Sequence, residues 1–405
     1  MSNSTAISLL KDALQNAYEL GNIEAIESIA TDEEEYLKAK GAPLPADVEE
    51  LRSAFRVTSS SGSYFLKRVS SWVSDEQLKR VERFLKWSEE KLLSISPKLI
   101  EPVAGGGHCS FENQRYQLFE FVEQEKRQNW MNNQVSSTDC RLAGDLLLRM
   151  HEAFNSYVSF EQKSEDQQTW SQDVLEETIE KWKNLVSLLT KKEDALPQVF
   201  SELVQAESTL TTMLSKALDS ASQGKIVFEG QTVKYLVHGD FHPGNFLIAD
   251  SKGKSKVAWA IDFDHMHFSF PHFDLGYALV MFGHRKNDQQ KTFIDWELVR
   301  AFLFGFAKSW YAWGVRDVSE GTQSEILEIL QKCVKERIND DILPAHMTIS
   351  CFLIIDWAAD RFLNGPQAFA GLYEGIVSDM LQILMFEDFN KSADIYFETL
   401  KEILG

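Results

Sequence analysis

The chain is short of the features that mark most specialised protein classes. Its four cysteines in 405 residues (Cys109, Cys140, Cys333 and Cys351) stand far apart, with no CxxC pair and no metal-ligand spacing. That pattern argues against a disulfide scaffold and a zinc site, and the expectation is reduced thiols in a cytoplasmic protein. Positive charge is also scarce, with 41 Lys+Arg against 61 Asp+Glu and a net charge of −20. Such a balance argues against a nucleic-acid footprint or docking on an anionic membrane. The N-terminus has no basic start, apolar run or small-residue cleavage site, so no signal peptide is expected. No apolar run approaches the ~18–20 residues of a membrane span. Fixed-period repeats and long low-complexity tracts are absent as well.

What is present is ordinary for a folded protein, 44% hydrophobic and 25% charged. The length suffices for two or three lobes with a sizeable core. Part of the acidity is local: residues 1–50 hold eleven Asp/Glu against three Lys/Arg. A solvated N-terminal face accounts for this. An acidic cleft for a cationic substrate is the other reading of the excess charge.

Residues 5–40 read as helices, because Ile7, Leu10, Leu14 and Tyr18 recur at three- and four-residue steps. Gly41-Ala-Pro43-Leu-Pro45 ends this segment, so 1–44 is expected to be an acidic helical extension. Phe55–Thr58 and Tyr64–Val69 read as two strands around a Ser/Gly turn. Ser74-Asp-Glu76 starts a helix carrying Val81, Phe84 and Leu85, and Tyr116–Val122 reads as a further strand. A small mixed lobe over 45–122 follows. Beyond it, 123–405 reads as a helical lobe interrupted by short apolar strands near 235–261.

The chemistry concentrates in His238-Gly-Asp240-Phe-His-Pro-Gly-Asn245 and Ile261-Asp262-Phe-Asp264. A carboxylate at Asp240 is suited to orient or deprotonate an attacking hydroxyl. Asn245 and Asp262 offer hard oxygen ligands for Mg²⁺. Pro243-Gly244 sets a tight turn between Asp240 and Asn245. Asp264 is suited to a second metal or to the acceptor. This is the order of groups that phosphoryl transfer needs, where catalysis is positioning and charge neutralisation. His238 reads as a buried, hydrogen-bonded brace.

These motifs, with Phe273-Asp274-Leu-Gly-Tyr-Ala278, resemble the aminoglycoside phosphotransferase/choline kinase-like group. The resemblance covers about residues 50–390 and implies an α+β, two-lobed protein-kinase-like fold. It implies Asp240 as the catalytic aspartate, Asn245 and Asp262 as Mg²⁺ ligands, and Asp274 as a helix N-cap or structural anchor. Lys67 matches the strand lysine that reaches the nucleotide phosphates. Glu82 is the best match for its helix partner, with Glu76 as runner-up. Glu120 to Glu123, including Val122, would form the adenine-holding hinge. The helix ending Leu148-Arg-Met-His151 looks like the one before the catalytic segment. The chain departs from protein kinases in having no GxGxxG before Lys67, so a Ser-containing loop around Ser60 is expected to cover the phosphates.

For the acceptor, Asp356, Trp357 and Asp360 share a helix face, where two carboxylates and an indole suit an ammonium group. A surface face paired to Arg361 or another cation is the competing reading. Trp310 and Trp313 read as packing. His265, His267 and His272 have no convincing metal spacing, though one of them is a candidate acceptor contact. The reading is an ATP- and Mg²⁺-dependent phosphotransferase acting on a hydroxyl of a small molecule: an amino alcohol, a hydroxy amino acid or an aminoglycoside-like compound. A protein Ser/Thr kinase and a catalytically silent nucleotide-binding scaffold are the alternatives.

Overall fold

The run Ala54–Arg68 folds into the hairpin its alternation suggests. In the computed structural model, β2 (Ala54–Ser59) and β3 (Gly62–Arg68) pair antiparallel, with Ala54 opposite Lys67 and Ser59 opposite Gly62. The structure describes residues 3–44, 52–124, 128–131, 134–161, 174–192, 196–223, 227–228, 231–232, 235–250, 256–317 and 341–404. The proposed boundary at residue 45 lies outside them, as do the side chains of Trp310 and Trp313.

Around this hairpin an antiparallel sheet runs in the order β1-β2-β3-β6-β4. Its other strands are β1 (Ile23–Ser28), β4 (Leu99–Ile100), β5 (Cys109–Phe111), which pairs with β6 off this path, and β6 (Gln114–Glu120). One face is covered by α1 (Asn3–Ala17) and the residue after it, through Leu10, Leu14 and Tyr18 against Val57, Leu66 and Leu118.

Residues 23–28 correct the expectation of helix throughout 5–40. Ile23 and Ile26 stand three apart, which a helix also permits. The edge of β2 decides the matter, because its backbone groups need partners and Ile23–Ser28 supplies them. Helix reappears in α2 (Asp32–Ala39), capped by Thr31 and Glu34 in a reciprocal box. The same N-terminal segment also engages the loop expected to cover phosphates. The Ser60 N–H donates to the Asn22 carbonyl, and its hydroxyl accepts the Asn22 N–H. That backbone donor is therefore already used.

The helix Asp75–Glu90 starts as its sequence indicates, with the Ser74 hydroxyl accepting the Gln77 N–H at 3.1 Å. It buries Leu78, Val81, Phe84 and Leu85. A later hairpin, Phe246–Asp250 with Lys256–Ala260, belongs to the same compact unit, which comprises residues 1–132 and 244–266. Its attachment there is concrete: Ala260 N–H donates to Ile95 O at 2.8 Å, and the Phe263 ring packs on Phe84.

The second unit, 133–243 and 267–405, is mostly helical. The helices Ser137–Glu161 and Trp296–Asp317 approach so closely that a side chain at Gly144 or Gly305 would run into the other helix's backbone. A two-strand ribbon, Tyr235–Val237 with His267–Ser269, leads into the helix Pro271–Gly283. The helix Ile342–Asn364 overturns one reading from sequence, since it is long and apolar enough to cross a membrane by length and composition. Its apolar window is 78% buried, against the helices Pro271–Gly283, Ala370–Phe386 and Glu207–Gln223. A core helix of this kind is apolar because it is covered on every side. The three described cysteines are free thiols.

Candidate active site

In the first unit the site is built around one lysine. β3 carries Lys67 to within 2.8 Å of Asp262 Oδ1 and 2.6 Å of Asp264 Oδ1. Burial alone would push the ammonium down, but the two carboxylates outweigh it and hold Lys67 above its usual range. Burial pushes the Asp264 carboxyl up; Lys67 opposes this and the neighbouring Asp262 adds to it. The backbone of Asp264 is itself held, since Gln77 Nε2 donates to its carbonyl.

Asp262 sits at φ 63°, ψ 64°, a left-handed conformation that costs a non-glycine residue about 1 kcal/mol or more. The hairpin before it joins the two expected metal ligands, because Ile261 N–H donates to the Asn245 carbonyl at 3.1 Å. Asn245 is buried, and Asp264 Oδ2 is a buried carboxylate oxygen with no hydrogen-bond partner among the described residues. Asn245, Asp262 and Asp264 thus offer an amide oxygen and two carboxylates, one with an orphaned oxygen, which is donor chemistry that suits a hard cation such as Mg²⁺.

The expected helix partner of Lys67 is otherwise engaged. Glu82 Oε1 lies 2.7 Å from His108 Nδ1, so the structure does not pair Glu82 with Lys67. The runner-up, Glu76, accepts from Arg80 one turn along its own helix. In the segment expected to form the hinge, Glu120 ends β6 and its N–H donates to Lys98 O, Val122 is half-buried, and Glu123 pairs with Arg56.

In the second unit the candidate residues centre on Asp240. Asp274 is fully buried and accepts the backbone N–H groups of His238 and Gly239 at 2.7 and 2.8 Å. Its Oδ2 also lies 3.2 Å from His151 Nε2. Burial would push this carboxyl up, yet the His151 contact and the Gly239 N–H hold it below its usual range. Asp274 is therefore an anchor for the His238–Asp240 loop and not a helix cap; Phe270 occupies the cap position and Pro271 the first turn. His238 is buried, as a brace should be. Tyr277 Oη donates to Asp240 Oδ1 at 2.8 Å. Neither Tyr277 nor His108 carries a role in the sequence motifs, although Tyr277 stands one helical turn after Asp274.

The acceptor candidates are less informative. Asp356 is half-buried with its carboxyl pushed up by burial, Asp360 is exposed and accepts from Asn364, and Trp357 packs edge-on against Tyr373. His265 lies against Trp72 and His272 against His346. Among the described residues no cluster of three or more His, Cys, Asp or Glu side chains could hold a metal.

A model of the phosphotransferase enzyme family matches residues 42–303, well over half of the chain. The chain belongs to this family. It is a phosphotransferase of the small-molecule kinase class. No curated protein matches it. Among solved structures, a spectinomycin phosphotransferase in complex with ADP and spectinomycin is 17% identical, covers 98% of each chain and has a TM-score of 0.56. An aminoglycoside phosphotransferase from Alicyclobacillus acidocaldarius is 11% identical over 97% of this chain and 96% of its own, with a TM-score of 0.52. An amicoumacin kinase solved with AMP-PNP and Ca²⁺ is 16% identical over 96% and 97%, also with a TM-score of 0.52. At these identities the likeness establishes the two-lobed kinase-like fold.

Proposed function

We propose that this phosphotransferase moves the γ-phosphoryl group of ATP to a hydroxyl of a small molecule, with Mg²⁺ as the accompanying cation. The observation that carries the reading is Lys67 Nζ at 2.8 Å from Asp262 Oδ1, because it joins the candidate phosphate-binding cation to a candidate metal-binding carboxylate. Lys67 engages the nucleotide phosphates, and Glu120 and Val122 hold the adenine through their backbone. Asn245 and Asp262 hold Mg²⁺, which when bound neutralises charge on the phosphates. Asp240 orients the acceptor hydroxyl and takes its proton. The ADP and AMP-PNP bound to the structural neighbours support ATP as donor.

An acceptor of the amino alcohol, hydroxy amino acid or aminoglycoside kind is supported by the net charge of −20 and by spectinomycin in one neighbour. A protein substrate is disfavoured by the eleven residues between Asp262 and Asp274. They contain a single helical turn, the strand His267–Ser269 and the start of a helix, with little length for a peptide-binding segment. The test is ADP release with Mg-ATP and ethanolamine, choline, L-serine or spectinomycin, with phosphorus NMR of the product. Acceptor-dependent release is expected. Absence of both release and nucleotide binding would favour the silent scaffold.

A further inference from the structure

The helix Pro271–Gly283 holds the catalytic loop at two points. Asp274 and Tyr277 are three residues apart and so share a helix face. Asp274 takes the N–H groups of His238 and Gly239, while Tyr277 takes the side chain of Asp240. Gly239 adopts φ +84°, a left-handed backbone that a side chain would strain. The loop thus turns sharply over the helix and delivers the Asp240 carboxylate to the phenol. His242 Nε2 stands 3.6 Å from the other carboxylate oxygen, Oδ2, too far for a direct hydrogen bond. Burial, followed by the charge of Asp240, keeps the Tyr277 phenol far above its usual range, so it stays a donor at any working pH. All these residues belong to one compact unit, and this unit contains neither Lys67 nor Asp262.

We propose that Tyr277 is a positioning residue for phosphoryl transfer: its hydroxyl holds Oδ1 of Asp240 and fixes the carboxylate plane, so that Oδ2 takes the proton of the acceptor hydroxyl. The proposal rests on the role given to Asp240 above. In the step, the acceptor oxygen bonds to the γ-phosphorus as its proton passes to Oδ2. The bond from that phosphorus to the β,γ-bridging oxygen breaks, and the nucleoside diphosphate leaves with the electron pair. A phenylalanine at 277 keeps the ring and its packing but lets the carboxylate rotate, and a misaligned base slows chemistry without weakening nucleotide binding.

The experiment compares wild type, Tyr277→Phe, Asp240→Asn and the double variant. The assay uses Mg-ATP and whichever of ethanolamine, choline, L-serine and spectinomycin turns over fastest, alongside thermal melting. In Tyr277→Phe, kcat falls about tenfold or more, as expected for loss of a charge-assisted hydrogen bond, while the KM for ATP and the melting temperature hold. The double variant is no slower than Asp240→Asn alone, because the phenol acts only through that carboxylate. Should the phenylalanine variant melt lower, the same double-variant comparison, made below both melting temperatures, still decides. A kcat within twofold of an active wild type, or fully multiplicative losses in the double variant, overturns the positioning role alone. A wild type that releases no ADP with any of these acceptors or with water overturns the functional reading, and this proposal with it.

Discussion

Lys67 Nζ lies 2.6 Å from Oδ1 of Asp264, while the helix carboxylate Glu82 is bound to His108. The Asp264 side chain is 4% exposed and that of Asp262 is 38% exposed, so Asp264 is the more sheltered of the lysine's two partners. An ion pair in such shelter is strongly felt when one partner is removed. Asp264→Asn is therefore expected to raise the KM for ATP about tenfold, from loss of a charged hydrogen bond. Glu82→Gln should leave it within about twofold. Steady-state kinetics on both variants separates the two carboxylates; the reverse ranking would return Glu82 to the lysine.

Asp240→Ala is expected to lower kcat by about 10²–10⁴-fold, the usual contribution of a positioned acid or base, with nucleotide binding largely kept. Asp262→Ala should instead weaken Mg²⁺-dependent nucleotide binding. Calorimetric titration of ADP with and without Mg²⁺, beside the turnover assay, distinguishes the two losses. Normal turnover in either variant would contradict the assigned roles.

Asp274 makes stability sensitive to acid. Its carboxyl is held below the usual 3.8 when folded. Its contribution is thus complete above that unfolded value and is lost as pH falls through the lower folded one. Asp274→Asn should cost about 2–3 kcal/mol at neutral pH, the scale for hydrogen bonds to a charged group. The variant's melting temperature should also fall less steeply between pH 5 and 3, which a series of melts at stepped pH would measure.

His346 acts in a milder window. It is buried against His272, with no hydrogen bond to either ring nitrogen among the described residues, and burial, then His272, hold it well below 6.5. The unfolded chain takes up a proton below pH 6.5 that the folded chain refuses, so stability is complete above that pH and declines beneath it. One such group contributes a slope of about 1.4 kcal/mol per pH unit. His346→Met should remove that share of the slope between pH 6.5 and 5.5 in urea denaturation and be at least as stable as wild type at pH 7.

Much of the fold was legible because its signals are local. The Ser/Gly turn between β2 and β3, the Ser74 cap and the alternation in Phe55–Thr58 each specify an element within a few residues. The spacing from His238 to Asp264 was legible for the same reason: a short turn and a hairpin keep Asp240, Asn245 and Asp262 in fixed order, and the resemblance supplied the two-lobed frame. The strand Ile23–Ser28 was missed because its three-residue spacing also suits a helix, and the open edge of β2 supplied what the local pattern lacked. The helix Ile342–Asn364 was expected, but its apolar length was not evident because its polar residues are spread through it, and only its burial distinguishes it as core.

Sequence alone determined which chemical groups this protein carries and their order along the chain, since motif spacing is a property of a few consecutive backbone turns. Partner choice was left to the tertiary structure. Lys67 meets Asp264, His151 meets Asp274 and Glu82 meets His108 across long stretches of chain. Each of these side chains had more than one oppositely charged or hydrogen-bonding candidate in the sequence. Packing selected among them by deciding which pairs lose their water together, and a buried charge must then bind the partner beside it.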